Sequence, residues 1–425
     1  MPQKAIALQN VNIWQAESGE QRNKTVLLKE GRFVAVLDNN EALPAGYEVK
    51  AGNGQWLVPG IIDMHAHILD PAELSAYLAH GVTTIRNMNG RPMHLEMKRQ
   101  LSAGKLAGPR LMTLGPTLNF QSPLMQFHQN VNTAAQAKTV VAQIKRAGYD
   151  GLKFYDGLSP EIFEALVAHA EAEKMPIAGH IPNKVGLAPV LKHYKTMEHV
   201  DELWQNGLAK AKSGDEEKMI AALSQANKPL VASLAIMQRL GPVCGKGEQV
   251  IDQYETPLLS PLANFFGRKS LKGFAVGDEG CAQFRERVSK ITRLVKKLHE
   301  AQVPILLGSD QGPHLFAAGV ASGQEADALL NAGLSITEVM RSATTLAAQA
   351  LGRENDVGKI APGFRADAIL LAGHPLAKAP WRQTPGAILA DGRWYGQPER
   401  EALLQAARGH GSFWLALGRF LQGDE

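Results

Sequence analysis

Cysteine is scarce in this chain: Cys244 and Cys281 are the only two among 425 residues. Two cysteines cannot build a disulfide framework, so small stapled scaffolds are excluded and free thiols are expected. Apolar runs are short as well. None approaches the roughly 20 residues of a membrane-spanning helix, which excludes a membrane partner of that kind. The opening Met1-Pro-Gln-Lys-Ala-Ile6 shows no basic region followed by about 7–15 apolar residues, so no export signal is read there. A cytoplasmic location is expected, or an exported one if the chain is a processed form. Charge of one sign is also lacking. With 45 Lys and Arg against 41 Asp and Glu, the net charge is only +4, and no long basic run offers a footprint for nucleic acid. What remains is ordinary globular material, 45% hydrophobic and 20% charged, long enough for one barrel and a second, smaller domain.

Against this background the histidines fall in informative places. In Val58-Pro-Gly-Ile-Ile-Asp-Met-His-Ala-His67, residues two apart on a strand point the same way, so Asp63, His65 and His67 share a face. Further along, candidate ligands recur at the ends of short apolar runs. Lys153 lies in Gly151-Leu-Lys-Phe-Tyr-Asp156, His180 ends Pro176-Ile-Ala-Gly-His180, His199 ends Thr196-Met-Glu-His199, and Asp310 ends Pro304-Ile-Leu-Leu-Gly-Ser-Asp310. Continuous apolar runs suit parallel strands covered on both faces, and helical segments separate them. The order reads as an α/β chain with a (β/α)8 barrel, whose chemistry sits at the C-terminal ends of its strands.

These positions resemble the amidohydrolase superfamily of metal-dependent hydrolases, whose members carry His-x-His after strand 1, Lys after strand 4, His after strands 5 and 6, and Asp after strand 8. The resemblance extends to Gly81-Val-Thr-Thr-Ile-Arg86 and Gly358-Lys-Ile-Ala-Pro-Gly-Phe-Arg-Ala-Asp367. Residues 148–199 are most similar to the branch of Xaa-Pro dipeptidases, related carboxypeptidases and hydrolases of N-acylated amino acids such as ochratoxin. It implies His65, His67 and Asp310 on a first metal, His180 and His199 on a second, and Lys153 on both as a CO2-derived carbamate. Asp310 would be general base and acid. The alternative for Lys153 is an ion pair with Asp156 or Asp310.

Four His, one Asp and one Lys exceed the three protein ligands of a usual catalytic zinc, so two divalent ions are expected. Imidazole-rich ligation suits zinc first, while iron, cobalt and nickel also fit. The expected activity is hydrolysis of a peptide-like amide in a dipeptide or N-acyl amino acid. Lactam, lactone or ester hydrolysis with the same centre is the alternative, and a non-catalytic scaffold a remote third. Tyr155, two residues past Lys153, shares its inward face and is a candidate substrate contact, as are His128 and His314. In the stretch 241–280, Tyr254, Phe265, Phe266 and Phe274 could line a pocket, and Arg268 with Lys269 could hold a carboxylate; a subunit interface in a homo-oligomer would use the same side chains.

Residues 1–56 and 353–425 are expected to form a small β domain plus a C-terminal helix, flanking a barrel at 57–352. Within the barrel, Ser159-Pro160 should start a helix with an apolar stripe of Ile162, Phe163, Leu166, Val167 and Ala170, Ser335 to Glu338 reads as a capping box, and Gly352 as a stop.

Overall fold

A computed structural model of the chain describes residues 5–123, 127–208, 214–246, 248–254, 256–273 and 277–421. Five strands come first: β1 (Ile6–Gln15), β2 (Gly19–Lys29), β3 (Arg32–Asp38), β4 (Glu48–Ala51) and β5 (Trp56–Pro59). Nine parallel-sheet strands and a short tenth follow: β6 (Ile61–Ala66), β7 (Val82–Asn87), β8 (Arg110–Thr113), β9 (Thr117–Asn119), β10 (His128–Asn130), β11 (Leu152–Phe154), β12 (Ile177–Gly179), β13 (Thr196–Glu198), β14 (Leu230–Val231) and β15 (Ile305–Leu306). The last three are β16 (Ala368–Leu371), β17 (Ala387–Ala390) and β18 (Arg393–Tyr395).

Both ends of the chain contribute to one eight-stranded sheet, in which β5 pairs with β1 on one side and with β16 on the other. Two of its hairpins turn where the sequence demands it. Glu30-Gly31 and Asp391-Gly392 each place two consecutive residues at positive φ, 52° and 78° in the first and 50° and 75° in the second. That backbone twist matches antiparallel strands, and glycine adopts its half without steric cost. Leu8, Val11, Val26, Leu28, Phe33, Leu370 and Leu389 form the apolar filling of this sheet.

The middle of the chain alternates strands and helices. Strands β6-β7-β8 form one parallel sheet, and β10-β9-β11-β12-β13-β14-β15 another. Their edges meet. On one side Asp150 N donates to Thr113 O at 2.8 Å and Gly115 N to Gly151 O at 2.9 Å. On the other, Met64 N donates to Leu307 O at 3.0 Å and Asp310 N to His65 O at 2.8 Å, and Ala66 bridges Gln311 in parallel. The helix Pro160–Ala172 begins as its sequence dictates, with Ser159 Oγ accepting from Ile162 N at 3.3 Å and the five apolar residues named above buried. The capping box at Ser335 and the stop at Gly352 (φ +67°) are present too.

Two expectations fail in the second half of the chain, the free thiols and the single C-terminal helix. The apolar run Leu230–Ile236 is a strand only at Leu230–Val231; Ser233 turns the chain at φ 46° and a helix begins at Leu234. The described residues of the stretch 241–280 are largely helical, in helices Leu234–Lys246, Glu248–Ile251, Pro261–Lys272 and Gly277–Glu300. A proline inside the first, Pro242, and glycines throughout break the period that sequence reading relies on. Cys244 and Cys281 are not free but joined in a disulfide between the first and last of these helices, both buried. The C-terminal segment is likewise two helices, Gln397–Arg408 and Phe413–Leu421. Among the described residues no helix is long and apolar enough to cross a membrane.

Candidate metal centre

The junction of the first and last parallel segments brings His65, His67 and Asp310 together. Hydrogen bonds from Asp310 N to His65 O and from His67 N to Gln311 O, both 2.8 Å, hold the two chain segments side by side. The backbones approach so closely that a Cβ on Gly308 would lie 2.2 Å from a Val231 methyl and 2.9 Å from His65 Cβ, and one on Gly312 (φ +114°) 2.5 Å from His67 O. Only glycine fits there. Asp63 does not join its strand-mates at the site: its carboxylate accepts from His65 N at 3.1 Å, Ser309 N at 3.0 Å and Ser322 Oγ at 2.6 Å, a buried clasp across the seam.

Asp310 Oδ1 lies 3.1 Å from His67 Nε2 and 3.5 Å from His65 Nε2, and Oδ2 lies 3.9 Å from His199 Nδ1. The imidazoles form a chain of tilted rings: His67 to His65 at 5.2 Å, His65 to His199 at 4.5 Å, His199 to His180 at 4.8 Å. His199 (φ 65°) and Asp310 (φ 54°) both hold left-handed backbone that costs a non-glycine residue about 1–3 kcal/mol. Such strain persists where the surrounding structure over-determines it, as paired strand ends do here.

Lys153 is buried at the end of β11, 2% exposed, and has no hydrogen-bond or ion-pair partner among the described residues. The alternative of an ion pair with Asp156 or Asp310 is therefore not realised. Burial lowers its pKa, against the pull of Glu198 and Asp310. Burial also depresses His65 and His199 well below the usual imidazole range, and the Lys153 charge adds to both shifts. For Asp310 burial acts upward, but His199, His67 and Lys153 outweigh it and hold the carboxyl below its ordinary value. Neutral imidazoles beside an ionised carboxylate present lone pairs to a cation. His65, His199 and Asp310 form one group able to hold a metal ion, and Asp156, His180 and Glu202 form a second.

Glu198, Arg86 and Glu202 escaped the sequence reading, and Asp156 entered it only as a possible partner of Lys153. Glu198, wholly buried, accepts from His65 Nδ1 and from Arg86 Nη2, each at 2.8 Å, and from Thr196 Oγ1 at 2.6 Å. Arg86 also donates to Met64 O at 2.8 Å. Asp156 Oδ1 and Glu202 Oε1 lie 2.7 Å and 3.3 Å from His180 Nδ1, and their charge lifts that imidazole to about 9 although burial and Lys153 act downward. The available signal was a charged residue inside or just after an apolar strand, where burial demands a partner.

Of the substrate candidates, Tyr155 lies over His180 with ring centroids 4.1 Å apart and over His128 at 4.6 Å. His128 Nδ1 accepts from Asn119 Nδ2 at 3.2 Å and lies 2.7 Å from Ser122 Oγ. Since the amide nitrogen can only donate, the ring proton sits on Nε2. Burial lowers His128 to about 4, so the ring is neutral. His314 places Nδ1 3.0 Å from Ser270 Oγ, and burial also lowers it to about 4, although the Asp310 charge acts upward. Arg268 is occupied by Asp252 at 2.9 Å, Lys269 is exposed, Phe265 and Phe266 pack on Phe413 and Phe420, Tyr254 stacks on Arg239, and Phe274 lies outside the described residues. Two cavities, of about 290 Å³ beside His80 and Trp381 and about 670 Å³ between helices Pro160–Ala172 and Leu187–His193, involve none of these groups.

A model of the amidohydrolase family matches residues 56–392. The chain belongs to that family. Among solved structures, a bottromycin amidohydrolase superposes with a TM-score of 0.78 at 23% identity, over 95% of this chain and 90% of that one. A putative prolidase from Bifidobacterium longum gives 0.71 at 21%, over 96% and 100%, and the A. niger ochratoxinase 0.70 at 15%, over 93% and 96%. At these identities the likeness shows the amidohydrolase fold. Among curated sequences, adenine deaminase 2 of Shouchella clausii (strain KSM-K16) is 38% identical over 85 residues, 18% of this chain and only 15% of that protein.

Proposed function

We propose that this amidohydrolase is a binuclear metal-dependent hydrolase of a peptide-like amide, in a dipeptide or N-acyl amino acid. The observation that carries this reading is Lys153, a buried amine without a partner among the described residues, whose charge acts on His65, His180, His199 and the Asp310 carboxylate. A partnerless buried ammonium is costly, and conversion to a carbamate would give two oxygen ligands in its place. The residues present fit the group: His65, His67 and Asp310 would hold one ion, His180, on giving up the proton that Asp156 and Glu202 stabilise, and His199 the other, and Lys153 both, with zinc favoured by the imidazole content. When bound, such ions supply an ionised water at neutral pH and polarise the scissile carbonyl.

The chain's own residues account for the rest. Asp310, held ionised, takes a proton at Oδ1 or Oδ2 and returns it to the leaving amine. Glu198 fixes the His65 ring by accepting from Nδ1, leaving Nε2 free to ligate. His128 Nε2 and the Tyr155 hydroxyl offer hydrogen bonds to the substrate's carbonyl or carboxylate. The two parallel sheets of strands β6 to β15, joined at both edges, support closure into a (β/α)8 barrel at 57–352, with 1–56 and 353–425 as the second domain. Solved relatives named as prolidase and ochratoxinase support the amide as substrate.

Elemental mass spectrometry on protein purified without chelator and supplied with bicarbonate tests this reading. About two metal equivalents per chain are expected, with loss of metal and activity in Lys153→Ala and partial rescue by short-chain acids. One equivalent, or full activity in Lys153→Ala, refutes the bridged pair. The adenine deaminase match is tested alongside by ammonia release from adenine.

A further inference from the structure

Besides Lys153, Arg239 is a cation near the site that has no carboxylate partner among the described residues. The helix Leu234–Lys246 leaves the C-terminal end of β14, so Arg239 lies on the same side of the sheet as His199 and Asp310. Its guanidinium carbon sits 3.8 Å from the Tyr254 ring centroid and 5.1 Å from that of Phe316. Nη2 donates to Leu315 O at 2.8 Å and Nε to His314 O at 3.4 Å, and Tyr254 donates its hydroxyl to Arg239 O at 2.9 Å. Both acceptor carbonyls belong to Asp310-Gln-Gly-Pro-His-Leu315, the loop that begins with the candidate metal-binding carboxylate.

Several other arginines inside the fold are paired with acids. Arg86 has Glu198, Arg110 has Asp367 and Asp391, Arg287 has Asp201, and Arg365 has Asp356 and Asp391. Arg239 has no carboxylate partner among the described residues, and Nη1 makes no hydrogen bond there and is not sealed from solvent. Arg91, Arg393 and Arg400 also show no acid partner among the described residues, but Arg91 leans on Phe420 with its Nε buried, and Arg393 and Arg400 belong to β18 and the helix Gln397–Arg408, Arg400 donating to Ala79 O. Stacked on Tyr254 and pinned through Nε and Nη2, the Arg239 fork loses little entropy when its open edge binds a planar anion.

We propose that Arg239 is the counter-charge for a carboxylate carried by the substrate, in place of Arg268, whose charge Asp252 absorbs. The assignment deepens the hydrolase reading and rests on it. It predicts a substrate with a free carboxylate, either on the amino acid released or on the acyl side. Binding to metal-loaded enzyme would be measured by calorimetry with N-acetyl-L-phenylalanine, its primary amide, and N-glutaryl-L-phenylalaninamide, which carries its carboxylate on the acyl side.

One of the two carboxylates should bind about 10- to 100-fold more tightly than the neutral amide, the range of a charge-assisted hydrogen bond. Arg239→Met should abolish that preference at an unchanged melting temperature, and Arg239→Lys should retain part of it. If Arg239→Met does not fold, Arg239→Gln takes its place. A wild type without carboxylate preference, or a preference that survives Arg239→Met or Arg239→Gln, overturns the assignment. Hydrolysis of acid and amide at equal rates would overturn it while leaving the hydrolase standing. Hydrolysis of neither would remove the hydrolase reading, and the binding measurements would still decide the residue.

Discussion

Replacing Glu198 by Gln would separate the two tasks that this side chain performs. Its carboxylate is 0% exposed and the paired Arg86 side chain 5%. Removing one member of such a pair leaves the other charge buried and uncompensated, which costs about 3–5 kcal/mol. Gln keeps an oxygen for Arg86 and Thr196, so the lower end applies, and for a chain of 425 residues the melting temperature should fall by roughly 3 °C or more. The second task concerns His65. A carboxylate can only accept, so at 2.8 Å it fixes the proton on Nδ1 and leaves Nε2 bare. In Glu198→Gln the oxygen turns to the guanidinium and the amide NH2 faces His65, which reverses the tautomer and places the proton on Nε2, where a metal would bind. Metal affinity should then fall about 10- to 100-fold.

Chemical denaturation and a competitive chelator titration read the two effects independently. The double variant Arg86→Met/Glu198→Gln provides the control: with both charges gone, part of the lost stability should return, while metal affinity should stay low. If Glu198→Gln unfolds within about 1 kcal/mol of wild type, the buried pair is not the stabilising feature argued here. If its metal affinity is unchanged, His65 is not a ligand through Nε2, and the assignment of the first metal falls with it.

Unreduced protein, denatured, should show no titratable thiol, and reduction should lower the unfolding free energy by roughly 4 kcal/mol for a crosslink between residues 37 apart; two free thiols would refute the bridge. His410 Nδ1 lies 3.6 Å from Asp70 Oδ1, and although burial acts downward, Asp70 and Glu73 raise the imidazole above its ordinary 6.5. A raised folded pKa adds stability that is complete below pH 6.5 and lost as pH rises through the folded value, so unfolding free energy should decline across that window. Glu73, lifted by burial to about 7, gives a slope of the same sign from 4.5 upward. His410→Asn should remove only the higher-pH part, and an unchanged profile would refute the Asp70 contact.

Much of the neighbourhood was legible because strand ends and candidate ligands coincide. A parallel strand needs an apolar run, and the residue that closes the run points where the loops meet, so Lys153, His180, His199 and Asp310 could be placed from short patterns alone. Helix ends announced themselves likewise through Ser159-Pro160 and Ser335 to Glu338. What stayed hidden depends on contacts between distant segments. Glu198 and Arg86 look like surface charges until β7 and β13 are seen to project them into one interior. Asp63 shares the strand face of His65 in sequence, yet the seam turns it onto backbone amides. The pairing of Cys244 with Cys281 required knowing that 241–280 is helical. There Ser260-Pro261 does carry a cap, with Ser260 Oγ accepting from Ala263 N at 3.1 Å, but Pro242 and the glycines obscured the apolar period around it.

The seam between β6 and the segment after β15 decides the integrity of the candidate centre. His65 and Asp310 are 245 residues apart, yet one backbone hydrogen bond of 2.8 Å sets their relation. The neighbouring glycines permit that approach, and Asp63 locks it from behind through Ser309 and Ser322. Helical insertions such as 234–276 can vary without moving these atoms, because they attach beyond the strand ends. Substrate choice would then evolve on the insertion, where Arg239 sits, while the metal-facing groups remain fixed by the sheet. The left-handed backbone at His199 and Asp310 fits this division. Such strain survives only where strand pairing on both sides gives the residue no alternative, and a loop free to relax would have released it.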